Sequence, residues 1–257
     1  MVKILLSGAG GRLGGCIISG AKEQPELKIV AGVDPTMPMS LGFPVVAKPS
    51  DFNGEADVLI DCSHVSALDG VLEYAVSHHT PAVLLTTGYT DEQMQKVREA
   101  SNSVAIFRSA NMSLGIAILS KLASEAAAIL GSNFDVEIIE RHHRKKLDAP
   151  SGTALALADA IRRSLDHPAE YVYDRHERRR ERPRDEIGIS AVRGGTIVGD
   201  HEIIFAGNDE VIELRHSAAS RMVFAEGALR AASFLAGKAP GMYNMDMLVG
   251  EILGKCR

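Results

Sequence analysis

Cysteine is scarce in this chain, with 3 among 257 residues, at Cys16, Cys62 and Cys256. An odd, widely spaced set builds neither a disulfide scaffold nor a Cys-rich zinc site, so free thiols in a reducing compartment are expected. Long hydrophobic runs are missing too. Met1 to Leu6 carries Lys3 and meets Gly8 before a signal-length stretch develops. No stretch reads as the roughly 18 apolar residues that span a bilayer. Positive charge is not in excess: the net charge is −5, so nothing in the total indicates nucleic acid or an anionic membrane as partner, and only local basic segments could. Internal repeats and low-complexity linkers are absent. The expectation is a cytoplasmic protein, bound to no membrane and no nucleic acid. Its 46% hydrophobic and 24% charged residues are ordinary for a globular fold, and its length suits two modest domains.

The first third alternates strand and helix signals. Val2 to Ser7 is a short apolar run stopped by glycines, followed by a helix over about 12–22 and a second strand from Leu27 to Val33. Val58-Leu59-Ile60, Ala82 to Leu85 and Val104 to Phe107 read as further buried strands. Helix-compatible sequence lies between Ser66 and Ser77, and Thr90 with Gln93 makes a capping box for another helix. Strands alternating with helices predict a doubly wound parallel sheet. The pattern then changes. Ser113 is expected to cap a long Ala/Leu-rich helix ending at Gly131, and Phe134, Val136 and Ile138 alternate with polar neighbours as in a half-buried strand. After a helix over about 153–165, the stretch 186–216 holds three strand-like runs, which predicts a mixed or antiparallel sheet. Phe224 to Leu235 and Met245 to Leu253 read as helices again. The fold class expected is α/β: a Rossmann-type parallel-sheet domain from 1–112 and 223–257, and an α+β mixed-sheet domain from 113–222.

Gly8-Ala9-Gly10-Gly11-Arg12-Leu13-Gly14 sits between the first strand and its helix. The strict G-x-G-x-x-G pattern fails at Leu13; the match is G-x-x-G-x-x-G. Glycines here permit a tight turn and the approach of a pyrophosphate, which the free N–H groups of the helix N-terminus then bind. Alone this is weak. Asp34, ending the second strand, strengthens it, because a carboxylate there can accept both adenosine ribose hydroxyls. Asp34 also repels a 2′-phosphate and is followed by Pro35, so NADH is the expected cofactor, with Arg12 and Lys48 leaving NADPH open. Thr86-Thr87-Gly88 follows another strand and reads equally as a nicotinamide-ribose contact or a plain turn. Ser109-Ala110-Asn111-Met112 reads equally as a nicotinamide-amide contact or a crossover between domains.

The densest chemistry runs from Glu140 to Thr153: Glu-Arg-His-His-Arg-Lys-Lys-Leu-Asp-Ala-Pro-Ser-Gly-Thr. Ser151 can cap the helix that follows. The N–H groups of Gly152 and Thr153 then form a carboxylate-sized anion site, opposite the charge of His143 and the lysines. His142 is the better candidate for proton transfer, since histidine titrates near the operating pH. From spacing alone, a surface histidine pair beside a solvated basic run competes with this reading. No metal site is expected, because adjacent histidines lack a third ligand at suitable spacing.

The segment from Glu140 to Ala154 resembles the signature E-x-H-H-x-x-K-x-D-A-P-S-G-T-A of the 4-hydroxy-tetrahydrodipicolinate reductase family. The likeness extends to Gly8–Gly14, Thr86-Thr87-Gly88, Ala110-Asn111, Arg193-Gly194-Gly195 with Ile197-Val198-Gly199 and His201, and Ser220-Arg221 with Phe224-Ala225. It implies an NAD(P)H-dependent reductase of a cyclic dicarboxylate in lysine and diaminopimelate biosynthesis, assembled as a homotetramer through the mixed-sheet domain. It also implies roles: His142 as proton donor, Lys146 as catalytic lysine, and His143, Ser151, Gly152 and Thr153 around the substrate. The cofactor positions implied are Gly8, Ala9, Gly10, Gly11, Arg12, Leu13, Asp34, Leu85, Thr86, Thr87, Ser109, Ala110, Asn111 and Met112. Leu85 replaces a glycine seen in some members, and Met112 a frequent Phe. Diaminopimelate and aspartate-semialdehyde dehydrogenases share the glycine turn but not the His-His-x-x-Lys segment, and a non-enzymatic NADH sensor would need a partner-binding module that is not visible. One segment is left over: 175–184 carries six arginines in ten residues, interrupted by Glu177 and Glu181. It reads as a solvated loop or as a lid drawn to an anionic substrate.

Overall fold

Ile4, Leu5 and Leu6 have no solvent exposure at all in the computed structural model of the chain, which describes residues 1–36, 41–176 and 178–255. Glu177 and Cys256 lie outside these. The elements follow the sequence pattern closely. They begin β1 (Val2–Ser7), α1 (Arg12–Lys22), β2 (Leu27–Val33), β3 (Val45–Val46), β4 (Val58–Asp61), α2 (Leu68–Ser77), β5 (Ala82–Leu84), α3 (Asp91–Ala100) and β6 (Ala105–Arg108). The chain continues with α4 (Leu114–Leu130), β7 (Asp135–His142), α5 (Gly152–Ser164), β8 (Glu170–Val172), β9 (Glu186–Arg193), β10 (Gly199–Ala206) and β11 (Val211–Ala218). It ends with α6 (Met222–Leu235), β12 (Gly241–Tyr243) and α7 (Met245–Lys255). Two compact units result, Met1–Leu114 with Arg221–Arg257, and Gly115–Ser220.

The first unit holds a seven-stranded parallel sheet of order β12-β6-β5-β4-β1-β2-β3. Both faces of its inner strands are buried, which is why they read as continuous apolar runs and not as alternating ones. Strand order reverses between β1 and β4, and ligands of such sheets bind at the carboxyl ends of strands flanking this switch point. α3 starts at the Thr90 capping box, the Thr90 hydroxyl accepting the Gln93 N–H at 3.2 Å and Gln93 accepting the Thr90 N–H at 3.0 Å. β3 and β12 add edge strands that the sequence did not announce; two or three residues are too few to register a period.

The second unit is built on a mixed sheet of order β11-β10-β7-β9-β8, with β10 antiparallel to both neighbours and β9 parallel to both of its own. Ile116, Leu119, Ala123 and Ala127 of α4 and Ala154, Leu157, Ala158 and Ile161 of α5 pack with Val136, Ile138, Ile187, Ile189, Ile203 and Phe205 of the strands. Each of the larger side chains contributes about 1.5–3 kcal/mol by leaving water. α4 corrects one expectation: with its following turn, Leu114–Asn133 is long and apolar enough to pass as a membrane span, at mean hydropathy 1.5. Its inner face meets the sheet, while Lys121 and Glu125 pair across its surface at 3.3 Å.

The arginine segment keeps most of its side chains in solvent but ties several of its arginines to neighbouring carboxylates. Glu186, whose side chain is only 4% exposed, accepts from Arg175 at 2.5 Å, Arg178 at 3.1 Å and Arg180 at 3.5 Å. Arg182 reaches Glu137 at 3.0 Å and Asp135 at 2.7 Å. Burial pushes the Glu186 carboxyl up, but the arginines outweigh it and hold it below the ordinary carboxylate value. Of these carboxylates Glu186 is the desolvated one, and a buried charge needs such partners.

Candidate active site

At the carboxyl end of β1 the chain makes the turn that the glycines allow. Gly8 has φ +83°, and a Cβ on it would lie 2.9 Å from the backbone of Cys62 and Ser63. A Cβ on Gly14 would collide with the Gly8 carbonyl oxygen. α1 starts from Gly11 with no side chain capping it and no acidic residue in its first turn. The turn therefore fits an anion such as a dinucleotide pyrophosphate, approached by backbone N–H groups and the positive end of the helix. Asp34 follows β2 and is fixed in place: one carboxylate oxygen accepts the Gly10 N–H at 3.0 Å, the other the Thr36 N–H at 2.9 Å and hydroxyl at 2.7 Å.

Beside the turn lies a cavity of about 420 Å³, lined by Arg12, Leu13, Leu85, Thr87, Ser109, Ala110, Asn111, Met112, Arg221 and Phe224. Most of the expected cofactor positions thus meet around one space, joined by Arg221 and Phe224. Leu85 and Met112, the two departures from the family pattern, both face it. Thr86 does not line it. Its hydroxyl is buried and donates to Asp61 at 2.8 Å, leaving exposed Thr87 as the strand end's representative in the cavity. Asn111 accepts the Ser113 N–H at 2.8 Å, so it also shapes the entry to α4.

In the second unit, the alternation of β7 sends Val136, Ile138, Glu140 and His142 to its buried side. Glu140 is fully buried. Its Oε2 accepts His142 Nδ1–H at 2.6 Å and Arg193 at 2.7 Å; its Oε1 accepts Arg193 at 2.7 Å and the Ser151 N–H at 2.9 Å. Burial pushes the Glu140 carboxyl up, but Arg193, His142 and Ser151 together hold it below its ordinary value. The carboxylate thereby keeps a proton on His142 Nδ1 and directs Nε2 the other way. Gly199 stands at that end, where a Cβ would come within 3.0 Å of Nε2. A glycine there keeps the reactive nitrogen clear.

Lys146 follows in the loop, its N–H bonded to the His143 carbonyl at 3.1 Å and its ammonium paired with Asp148 at 2.9 Å. The Lys146 hydrogen bond holds the Asp148 carboxyl below its ordinary value. Ser151 caps α5 as expected, its hydroxyl accepting the Ala154 N–H at 3.1 Å, and Gly152 opens onto free space. His143 Nδ1 is buried without a hydrogen-bond partner among the described residues, an open valence beside the cations.

His201 completes the cluster. Its ring meets His142 edge-on, centroids 5.2 Å apart, and its Nε2 lies 3.3 Å from the Ser151 hydroxyl. Burial, with His142 and His216 nearby, pushes its pKa down to about 4, against weaker opposing pulls from Glu140 and Asp200. The linkage sign follows: between about pH 6.5 and 4 the unfolded chain takes up a proton that folded His201 refuses. Stability therefore falls as pH drops through that window, by an amount on the order of 3 kcal/mol. Urea unfolding at pH 7 and pH 4.5 should show the fall in the wild type and a flatter response in His201→Gln. Equal responses would remove His201 as its source.

Sequence reasoning singled out His142, His143, Lys146, Ser151, Gly152 and Thr153 but gave no role to Glu140, Arg193, Asp148 or Asp61. Glu140 was legible in principle, two residues before His142 on one strand and so on the same face. Asp61 was legible as the polar end of an otherwise apolar strand. Arg193 was not, because its contact with Glu140 spans 53 residues.

The comparisons with known proteins agree along the whole chain. The model described as dihydrodipicolinate reductase, N-terminus, matches residues 2–112, and its C-terminus counterpart matches residues 115–249. A 4-hydroxy-tetrahydrodipicolinate reductase of Caldanaerobacter subterraneus subsp. tengcongensis is 50% identical over 250 residues, covering 97% of this chain and 98% of the relative. That of Clostridium tetani is 45% identical over 251 residues, covering 98% of each. A dipicolinate-bound dihydrodipicolinate reductase from Paenisporosarcina sp. TG-14 superposes with TM-score 0.79 at 26% identity, covering 95% of this chain and 97% of that one. With both halves matched and the buried Glu140–His142 pair at the centre of the second, the chain belongs to the dihydrodipicolinate reductase family.

Proposed function

We infer that this chain reduces 4-hydroxy-tetrahydrodipicolinate to 2,3,4,5-tetrahydrodipicolinate with NAD(P)H, a step of lysine and diaminopimelate biosynthesis. The observation that carries the reading is the Glu140–His142 pair set beside Lys146 and the N-terminus of α5. One end of this group handles a proton and the other a carboxylate. A nicotinamide held beside Thr87, Ala110 and Asn111 would supply the hydride that the substrate's conjugated ring carbon needs once the 4-hydroxyl is lost. The neighbouring carbon then needs a proton. His142 gives it from Nε2 while Glu140 keeps hold of Nδ1–H, so the imidazole ends neutral in one defined tautomer. Lys146 exchanges Asp148 for the substrate's carboxylate and developing charge, and His143, Ser151, Gly152 and Thr153 bind a carboxylate at the helix N-terminus.

Residues 1–112 with 223–257 serve as the dinucleotide-binding domain and 113–222 as the substrate-binding and tetramerisation domain of a cytoplasmic homotetramer, a reading that rests on family membership. NADH is the preferred cofactor. Its support is Asp34, whose carboxylate is held in place by Gly10 and Thr36 and is suited to ribose hydroxyls but not to a 2′-phosphate. Following cofactor oxidation with substrate freshly made by the preceding synthase tests both statements. kcat/KM should be higher for NADH by about tenfold, the size of one lost charge-assisted contact. No turnover would reject the reaction; a strong NADPH preference would reject the role of Asp34.

A further inference from the structure

The strand Val58-Leu59-Ile60-Asp61 is apolar up to its last residue, and that aspartate has no solvent exposure. A buried carboxylate is costly unless donors surround it. Here they are three hydroxyls, with the Ser63 N–H donating as well at 3.4 Å. Asp61 Oδ1 accepts from Ser7 at 2.8 Å and from Ser63 at 2.5 Å, and Oδ2 accepts from Thr86 at 2.8 Å. The donors come from three strand ends. Ser7 closes β1 and immediately precedes Gly8. Ser63 follows Cys62, and this pair forms the wall that leaves no room for a Cβ on Gly8. Thr86 lies two residues past β5 and immediately precedes Thr87, which lines the cavity beside the glycine turn. An apolar side chain of similar size would fill the space without the desolvation cost, but it could not tie these ends together.

We propose that Asp61 is a positioning residue for the dinucleotide, holding the glycine turn and the Thr86-Thr87 segment in register by accepting a hydroxyl from each. The proposal rests on the reading of this turn as the NAD(P)H site. Asp61 touches no cofactor atom in this scheme; it acts through Gly8 and Thr87. In Asp61→Asn one acceptor oxygen becomes a donor that faces hydroxyls already committed as donors, so the register loosens. The loss should fall on cofactor binding and spare the dicarboxylate site, which belongs to the other unit.

The test is a fluorescence titration of the full-length wild type and variants with NADH, paired with steady-state kinetics. Asp61→Asn should raise the NADH dissociation constant by about tenfold, the equivalent of one hydrogen bond to a charged group. KM for the dicarboxylate at saturating NADH should stay within about twofold. Thr86→Val should weaken NADH in the same direction, and Thr86→Ser, which keeps the hydroxyl, should restore it; this pair decides the matter if Asp61→Asn does not fold. Equal losses for both ligands, or a valine variant no weaker than the serine one, would overturn the proposal. Failure of the wild type to bind NADH would instead overturn the reading of the turn itself.

Discussion

His142→Gln is expected to lower kcat by about a hundredfold or more, the span that a positioned general acid supplies, while the NADH dissociation constant is unchanged. Glutamine is close in volume to histidine and can still meet Glu140, so the buried side of β7 remains filled. It has no proton that can be given up near neutral pH. The loss should therefore appear in kcat and not in binding, since His142 sits in the second unit and the glycine turn and its cavity are formed wholly within the first. Rapid single-turnover measurements make the test specific: hydride transfer from NADH, read by absorbance, should be slowed with the proton step. An unchanged kcat would take His142 out of the chemistry and leave the proton to another group of the segment, such as Lys146 or His143.

Much of this was legible in the sequence because the signals are local. β7 illustrates it: its alternation places Glu140 and His142 on the face that Val136 and Ile138 bury, and the same strand delivers them to a loop whose Ser151 caps α5. The glycine turn is equally local, written in seven consecutive residues. What stayed hidden depends on pairs far apart in the chain. Arg193 comes beside Glu140 only because β9 lies parallel to β7, pairing His142 with Arg193 in register. Ser7, Asp61 and Thr86 meet because β4 runs beside both β1 and β5. The arginine segment's partners were hidden for the same reason: a local count of charges does not show that half-buried Glu137 and buried Glu186, on two adjacent strands, accept from them. Likewise α4, whose composition admits a membrane, is understood only when the sheet covering its inner face is known.

Glu140→Gln should destabilise the second unit by about 3 kcal/mol and lower kcat as well, although it changes one atom. The size follows from breaking a buried ion pair from one side, which leaves the guanidinium of Arg193, itself only 20% exposed in its side chain, without its counter-charge. Geometry makes relief impossible. Both carboxylate oxygens of Glu140 accept two donors each, so an amide placed either way turns an N–H group against two others: against His142 and Arg193, or against Ser151 and Arg193. In the first orientation the amide N–H opposes the Nδ1–H of His142, so the imidazolium that gives its proton from Nε2 loses its support; in the second, the N-terminus of α5 loses its anchor. The pH dependence separates this from a packing defect. Because the folded Glu140 carboxyl lies below its ordinary value, its contribution is fully present above about pH 4.5 and is lost as pH falls through the folded value. The gap in unfolding free energy between wild type and Glu140→Gln should therefore be widest at neutral pH and narrow steadily as the solution is acidified. A gap that stayed constant from pH 7 to pH 3 would mean that the charge on Glu140 contributes nothing, and that its hold on His142 is one of shape alone.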